Sequence, residues 1–438
     1  MSALPKSFNL AESIPSLPDG ATSQLITCRP ISGGTFSAQA IIECDLGNRG
    51  WLLPDSLSIR YKVTFSTDAS GSAMIGTPVY TPFNRVSTLI GGASIDTVSQ
   101  YNQVAQVLVN TSLDVAAKYG LAQGYGYTQL PAGAGVTGSM TYMDGANLPP
   151  SQAGTTYFVA APLIGTLLSN SEKNLPLFAM PQVRFQFTLD SLANMFFVST
   201  GAVNTGYSLP TAFTISNFEL NYQMVDMTAG VEKMVYDMGR QLSIKSHGIS
   251  NSAVNVAAAT SGSQSYVFNQ RFASIRSAFI CPNRADGNGS KWGEICDLTT
   301  NNGDYQLQIG NNAYPQMPLS TALNRAGILQ ETRRAAGNLN DRNNSLSINA
   351  VEFAKTINDA SANLLYYEPG KFIVGVNLEK VQSSDHVVMS GASTYNTPIS
   401  CIISANTATS FAANLNLILD YDAVLVLDPV ARQLSVRS

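Results

Sequence analysis

Short runs in which apolar and polar residues alternate recur along the whole chain, at Gln39–Cys44, Leu57–Phe65, Val183–Leu189, Phe213–Tyr222, Ser265–Phe268, Phe372–Leu378, Ile399–Ser404 and Leu415–Val426. A period of two puts every second side chain on one face, so each run predicts a β-strand with one buried side. Turns rich in Gly, Asn and Pro separate them. Three segments are spaced for helices instead. In Asp96–Leu108, the residues Val98, Tyr101, Val104, Ala105 and Leu108 share a face. Ser112–Tyr119 has Ser112 as N-cap and Gly120 just past its end, and Thr228–Met238 sets Val231, Met234, Val235 and Met238 between Thr228 as cap and Gly239 as stop. The third helix falls near the middle of 438 residues and predicts a connector between two β domains.

Internal similarity supports that division. Leu89-Ile90-Gly91-Gly92, followed by a helix-like segment, has a counterpart in Gln308-Ile309-Gly310-Asn311, followed by near-helical spacing over Pro318–Gln330. The stretch 218–225 resembles 417–424, and 183–192 resembles 372–381. Three similarities in one order suggest two copies of one β domain. The expected division is an N-terminal arm (1–20), a first sandwich (21–227), a linker helix (228–240) and a second sandwich (241–438). With about eight strands per half, two packed sheets bury the alternating faces, so the fold class is all-β, two tandem eight-stranded jelly rolls with short helices in loops.

Composition narrows the function classes. Only 12% of residues are charged while 45% are hydrophobic, so the chain can bury enough surface to offset its ordering entropy and disorder is excluded. The net charge of −4, with no long run of either sign, argues against general attraction to nucleic acid or anionic membrane. The five cysteines are scattered and odd in number, which predicts free, mostly buried thiols in a reducing compartment rather than a disulfide framework. The first residues show no apolar stretch of signal-peptide length, and no run is long enough to span a membrane as a helix.

The run at 82–108 (PFNRVSTLIGGASIDTVSQYNQVAQVL) resembles a segment of the double jelly-roll major capsid proteins, in which a strand ending in Ile-Gly-Gly leads into a helix near an Ile-Asp pair. NLPLFAMPQVRFQFTL (174–189) is similar to that family's Leu-Pro-Leu turn and following strand, and 218–235 to its last first-domain strand entering the linker helix. SYVFNQRFASIRSAFI, YQLQIGN, FIVGVNLEK and LNLILDYDAVLVLD follow in family order, so the resemblance covers nearly the whole chain. It implies a non-enzymatic viral major capsid protein located in the virion, whose homotrimers form pseudo-hexagonal capsomers tiling an icosahedral shell of a double-stranded DNA virus. Its partners would be itself, neighbouring capsomers, penton and minor capsid proteins and, in viruses that have one, an internal membrane. Loops at 281–303, 337–345 and 131–152 are expected to form the outer towers. With no basic arm at either end, strong direct nucleic-acid binding is not expected.

No catalytic, cofactor-binding or metal site is assigned from the residues. GAGVTG (133–138) matches a dinucleotide fingerprint but lacks the flanking strand and helix that would aim backbone N–H groups at a pyrophosphate. Asp286, Asn288 and Ser290 have calcium-loop spacing, yet Lys291 stands where Gly is needed and Asp297 where Glu is. His247 and His386 have no metal-spaced neighbour, and surface or interface placement is expected. Asp420 and Asp422 share a strand face, either as a glycosidase-like carboxylate pair or, the favoured reading, as a solvated face. Arg325, Arg333 and Arg334, with Glu331, form a basic cluster suited to phosphate or, preferably, to a neighbouring subunit. Cys281 and Cys296 flank a loop and could meet at its base, and Asn110, Asn288 and Asn343 begin chance-level glycosylation triplets. The alternative function is a tandem jelly-roll carbohydrate-binding or glycan-cleaving protein. It requires a groove with exposed aromatics, and the chain has two tryptophans, Trp51 and Trp292.

Overall fold

Strict alternation in VRFQFTL turns Val183, Phe185, Phe187 and Leu189 into the core and leaves Arg184, Gln186 and Thr188 facing outward, which makes this stretch strand β11 (Val183–Leu189). The same logic builds four large antiparallel sheets in a computed structural model that describes residues 20–65, 73–74, 77–113, 124–125, 156–197, 211–237, 241–285, 295–339, 348, 353, 371–380, 389–409 and 411–438.

In the first sheet β1 (Thr22–Cys28) and β2 (Thr35–Ser37) both pair with β13 (Phe213–Asp226), followed by β5 (Ser58–Phe65) and β9 (Thr156–Pro162). Two short strands, β4 (Trp51–Leu52) and β10 (Leu175–Pro176), extend it beside the far end of β13. Facing it is a sheet of order β3 (Ile41–Asp45), β11, β7 (Phe83–Ile90), β8 (Ala93–Ser99). A ribbon of β6 (Ala73–Met74) and β12 (Phe196–Phe197) completes this half. The second half repeats the plan. One sheet runs β14 (Leu242–Val256), β21 (Ala413–Asp428), β16 (Ile275–Arg284), β19 (Val374–Asn377), with β22 (Gln433–Arg437) also on β21. The other runs β15 (Gly262–Phe268), β20 (Ile399–Ala405), β17 (Gly303–Ile309), β18 (Asn312–Ser320). In each half, chain-distant strands are neighbours in the same interleaved order, which is the jelly-roll topology.

Helices occupy equivalent places. α1 (Tyr101–Ser112) follows β8, and α3 (Arg325–Ala335) follows β18. α2 (Ala229–Asp237) lies between the halves, docks through buried Val235, and its Tyr236 hydroxyl donates to the Phe178 carbonyl at 3.0 Å. Packing is aromatic in the first half, where Phe187 and Phe218 rings lie 5.1 Å apart and Tyr61 meets Phe83 edge-on at 5.5 Å. One hydrophobic cluster runs through both halves without interruption.

Several expectations are corrected. Asp96–Ser99 is strand, not helix: these residues pair with β7 around the Gly91-Gly92 turn, where φ is +59° and +84°, values that favour glycine. The helix starts only at Tyr101, after Gln100 in the left-handed region, because Val98 satisfies a strand's inward face as well as a helix's. Ser112 does not open a second helix; it closes α1, its hydroxyl donating back to the Leu108 carbonyl at 2.6 Å, and residues 114–119 lie outside the described ones. Pro318 and Leu319 belong to β18, and α3 begins later, capped by the Asn324 side chain accepting from the Gly327 N–H at 2.8 Å. The pairing of 183–192 with 372–381 also fails. The former contains β11, whose counterpart by sheet order is β20, whereas the latter contains β19, the counterpart of β9. Two alternating strands resemble each other by composition whatever their place in the sheet. The other two similarities fall on equivalent elements, the β7–β8 and β17–β18 turns and strands β13 and β21.

Candidate functional site

Where the two sandwiches meet, β8 and α1 of the first, with the loop 163–172, lie against β14, β21 and α3 of the second. The contact is built around Leu167. Its side chain enters the second sandwich and packs with Tyr421 and Ala423, while Phe272 stacks on Tyr421 at 4.0 Å. Gly248 leaves room for this, since a Cβ there would lie 2.5 Å from the Tyr421 ring and 3.0 Å from Leu167 Cδ2. The Leu167 backbone is gripped from both sides: its N–H donates to Asp96 Oδ2 at 2.8 Å, and its carbonyl accepts from the Ser246 hydroxyl at 2.5 Å.

Polar contacts flank this plug. Asn170 Nδ2 donates to the His247 carbonyl at 3.1 Å, and Lys245 pairs with Glu172 at 2.9 Å. Asn251 Nδ2 donates to Gln100 Oε1 at 2.9 Å, and Asn338 Nδ2 to the Thr111 carbonyl at 2.8 Å. Asn416, fully buried, donates through Nδ2 to Gln103 Oε1 of the first sandwich and Asn283 Oδ1 of the second, at 2.8 and 2.9 Å. Such bonds tie side-chain geometry on one sandwich to the other, whereas apolar contact alone would let the surfaces slide.

Beside the plug is a cavity of about 440 Å³ with walls of Leu108, Ile164, Ile249 and Phe279 and a charged floor. On that floor Arg276 Nε pairs with Glu379 at 3.0 Å, and its Nη1 lies 3.7 Å from Asp420 Oδ2. Asp422, behind them, accepts from the Ser274 hydroxyl at 2.6 Å. Burial pushes the Asp420 carboxyl up, opposed by His247 and Arg276, with Asp422 and Glu379 adding to the rise. Burial pushes His247 down, opposed by Asp420, Asp422 and Glu172 and reinforced by Arg276. Asp96 is pushed up to about 6 by burial, against the Leu167 and Thr97 N–H groups that hold its charged form.

An open groove of about 1150 Å³ lies on the first sandwich and carries Arg29, Arg60, Lys62, Glu219 and Phe158, which is 70% exposed. Its carboxylate, Glu219, is 3.8 Å from Arg29.

No protein-family model matches this chain, and no curated protein matches it. Solved structures do. The major capsid protein of Faustovirus aligns with a TM-score of 0.62 at 11% identity over 95% of this chain and 92% of that one. A chain of the PBCV-1 virus capsid aligns at 0.58 and 10% identity over 98% and 99%, and the mavirus major capsid protein at 0.53 and 11% over 100% and 95%. The chain has the double jelly-roll fold of viral major capsid proteins. The alignments run through both jelly rolls, so the fold match includes their side-by-side arrangement.

Within the double jelly roll, the residues singled out by sequence fall as follows. Asp420 and Asp422 do not form an open solvated face: Asp422 is buried, Asp420 is only partly exposed beside the joint, and both are ion-paired to Arg276 on the neighbouring strand of the same roll. His247 belongs to the same group, as an interface residue within the chain, and His386 lies outside the described residues. The basic cluster is spent locally, Arg334 on Glu331 at 2.7 Å and Arg333 on the Asn338 carbonyl at 3.3 Å, the latter just past the end of α3. Cys281 and Cys296 come to the base of one loop, where the Cys296 N–H donates to the Pro282 carbonyl at 3.1 Å, yet both are buried and no disulfide joins them. Asn110 is buried inside α1, which bars a glycan there. Asp297 accepts from Thr299, Asn301 and Tyr305, a turn-forming role. Residues 133–138, Asp286, Asn288, Ser290, Lys291, Trp292 and Asn343 lie outside the described residues. Among the described residues no group of His, Cys, Asp and Glu is arranged to hold a metal. The joint residues Leu167, Gly248, Asn251 and Asn416 carried no signal in the sequence, because each acts on a partner from the other roll, and Asp96 acts on the joint through Leu167 of its own roll.

Proposed function

We propose that this chain is a major capsid protein whose homotrimers form pseudo-hexagonal capsomers of an icosahedral virion shell. The observation that carries this reading is the pair of jelly rolls that share one core strand order, fixed side by side by the joint and matching capsid proteins over almost the whole chain. Three such chains around a threefold axis present six similar edges, and a closed ring of heterologous contacts follows from that geometry. The boundaries proposed for the rolls remain 21–227 and 241–438, with 228–240 as linker. Neighbouring capsomers, penton and minor capsid proteins and, where present, an internal membrane are the proposed partners, and the chain's work is packing rather than chemistry.

The glycan-handling alternative finds little support in the surface. The open groove offers one exposed ring and one arginine-paired carboxylate, and Trp51 packs edge-on against Phe178 at 5.5 Å instead of presenting a platform. The test is the solution mass of the purified chain by light scattering with negative-stain images. A mass near three times the 46.6 kDa chain, about 140 kDa, with pseudo-hexagonal particles is the expected result. A monomer at all concentrations would overturn the trimer.

A further inference from the structure

We propose that the joint between the two jelly rolls is proton-responsive: acidification from about pH 7.5 to about pH 5 loads Asp96, the carboxyl bonded to the Leu167 backbone, with a proton and tightens the hold of one roll on the other. The inference concerns the single chain, so a failure of trimer formation leaves it intact.

Geometry places this carboxyl at the interlock. Asp96 is only 6% exposed, and its Oδ2 is one hydrogen bond from Leu167, the residue that enters the second roll. Facing it are the Leu167 and Thr97 N–H groups and the phenol of Tyr421. Among the described residues no cation is among the groups that set its charge state, and the two N–H groups offset only part of the desolvation cost of its ionised form. Asp420 lies on the floor of the adjoining cavity, facing His247 on β14, Arg276 on β16, Glu379 beyond β19 and Asp422 on its own strand. Its Oδ1 is shut off from solvent and has no hydrogen-bond partner among the described residues. His247 faces Asp420, Asp422, Arg276 and Glu172, the last held by Lys245.

The signs follow from linkage. Asp96 is raised from 3.8 to about 6, so its stabilising contribution is complete below the lower value and is lost as pH rises through the upper one. Asp420, also raised, acts in the same direction. His247 is lowered, so its contribution is present above 6.5 and fades as pH falls through its folded value, opposing the carboxyls. Asp420 adds to the gain from Asp96 and His247 subtracts from it. From Asp96 alone the unfolding constant falls about tenfold between the two pH values.

The experiment is urea unfolding of the full chain at both pH values for wild type, Asp96→Asn, Asp420→Asn and His247→Gln. Wild type should unfold at higher urea at the acid pH. Asp96→Asn, which keeps an amide oxygen for the Leu167 N–H, should be more stable than wild type at the higher pH and lose most of the acid gain. Asp420→Asn should lose a further part, and His247→Gln should enlarge it. A wild type no more stable in acid, or an Asp96→Asn variant that keeps the whole gain, would overturn the proposal. Hydrogen exchange at the Leu167 amide reads the same joint without any variant. Its protection factor, corrected for intrinsic rate, should rise in acid, and an unchanged factor also refutes the proposal.

Discussion

Asn416 on the last long strand donates to Gln103 on α1 at 2.8 Å, joining residues 313 positions apart across the boundary between the two jelly rolls. The same amide also serves Asn283, so one buried side chain positions an element of each roll. Removing it by Asn416→Ala leaves two buried acceptors unsatisfied. The expected cost is about 1–3 kcal/mol, read as a lower urea midpoint. In a double-mutant cycle with Gln103→Ala the two losses should not add, and strict additivity would show the bond to be idle.

Gly248→Ala tests the socket for Leu167. The new methyl meets the Tyr421 ring and Leu167 Cδ2, and both are confined, Tyr421 by its stack on Phe272. Overpacking of this kind costs about 1–3 kcal/mol, visible as a lowered melting temperature, and a variant as stable as wild type would mean that the ring shifts freely.

Leu167→Ala removes the plug itself. Because Leu167 is fully buried between the rolls, about 2–5 kcal/mol of stability should be lost. If the trimer depends on the fixed relation of the rolls, light scattering should show fewer trimers even under conditions where circular dichroism reports folded chain.

Val235 is the buried residue by which α2 docks. Val235→Asp puts an unpaired carboxylate there and is expected to abolish trimers while leaving strand content largely intact. Normal trimers from this variant would show that the helix does not set the orientation of the rolls.

The thiols make a fifth, chemical prediction. Burial pushes Cys44 and Cys401 up to about 12 and raises Cys281, while Cys28 is raised less fully buried. A thiol-reactive dye at neutral pH should therefore label the folded chain slowly, with Cys28 first among these four; rapid labelling of Cys281 or Cys401 would contradict the packing.

Much of the architecture was legible because strand patterning is local. Val183–Leu189 and Ile399–Ser404 announce an inward face by period two, and the midpoint helix announces itself by Val231 and Val235. Errors arose where two local codes agree. Val98 fits a strand and a helix equally, and only its pairing partner Val86 decides between them. Likewise β11 and β19 share a pattern, but their places in different sheets depend on which strands lie alongside.

Asp420 and Asp422 show the limit most plainly. Alternation correctly places them on one strand face, yet whether that face meets water or Arg276 and the other roll is not encoded within their neighbourhood. The sequence by itself determined the strands, the repeat of a jelly roll and the family resemblance, because those rest on patterns within a few residues. Tertiary structure alone decided the joint, with Asp96 against Leu167, Leu167 against Gly248 and Asn416 against Gln103. Its energies belong to pairs far apart in the chain, whose burial and charge exist only once both sandwiches have closed on each other.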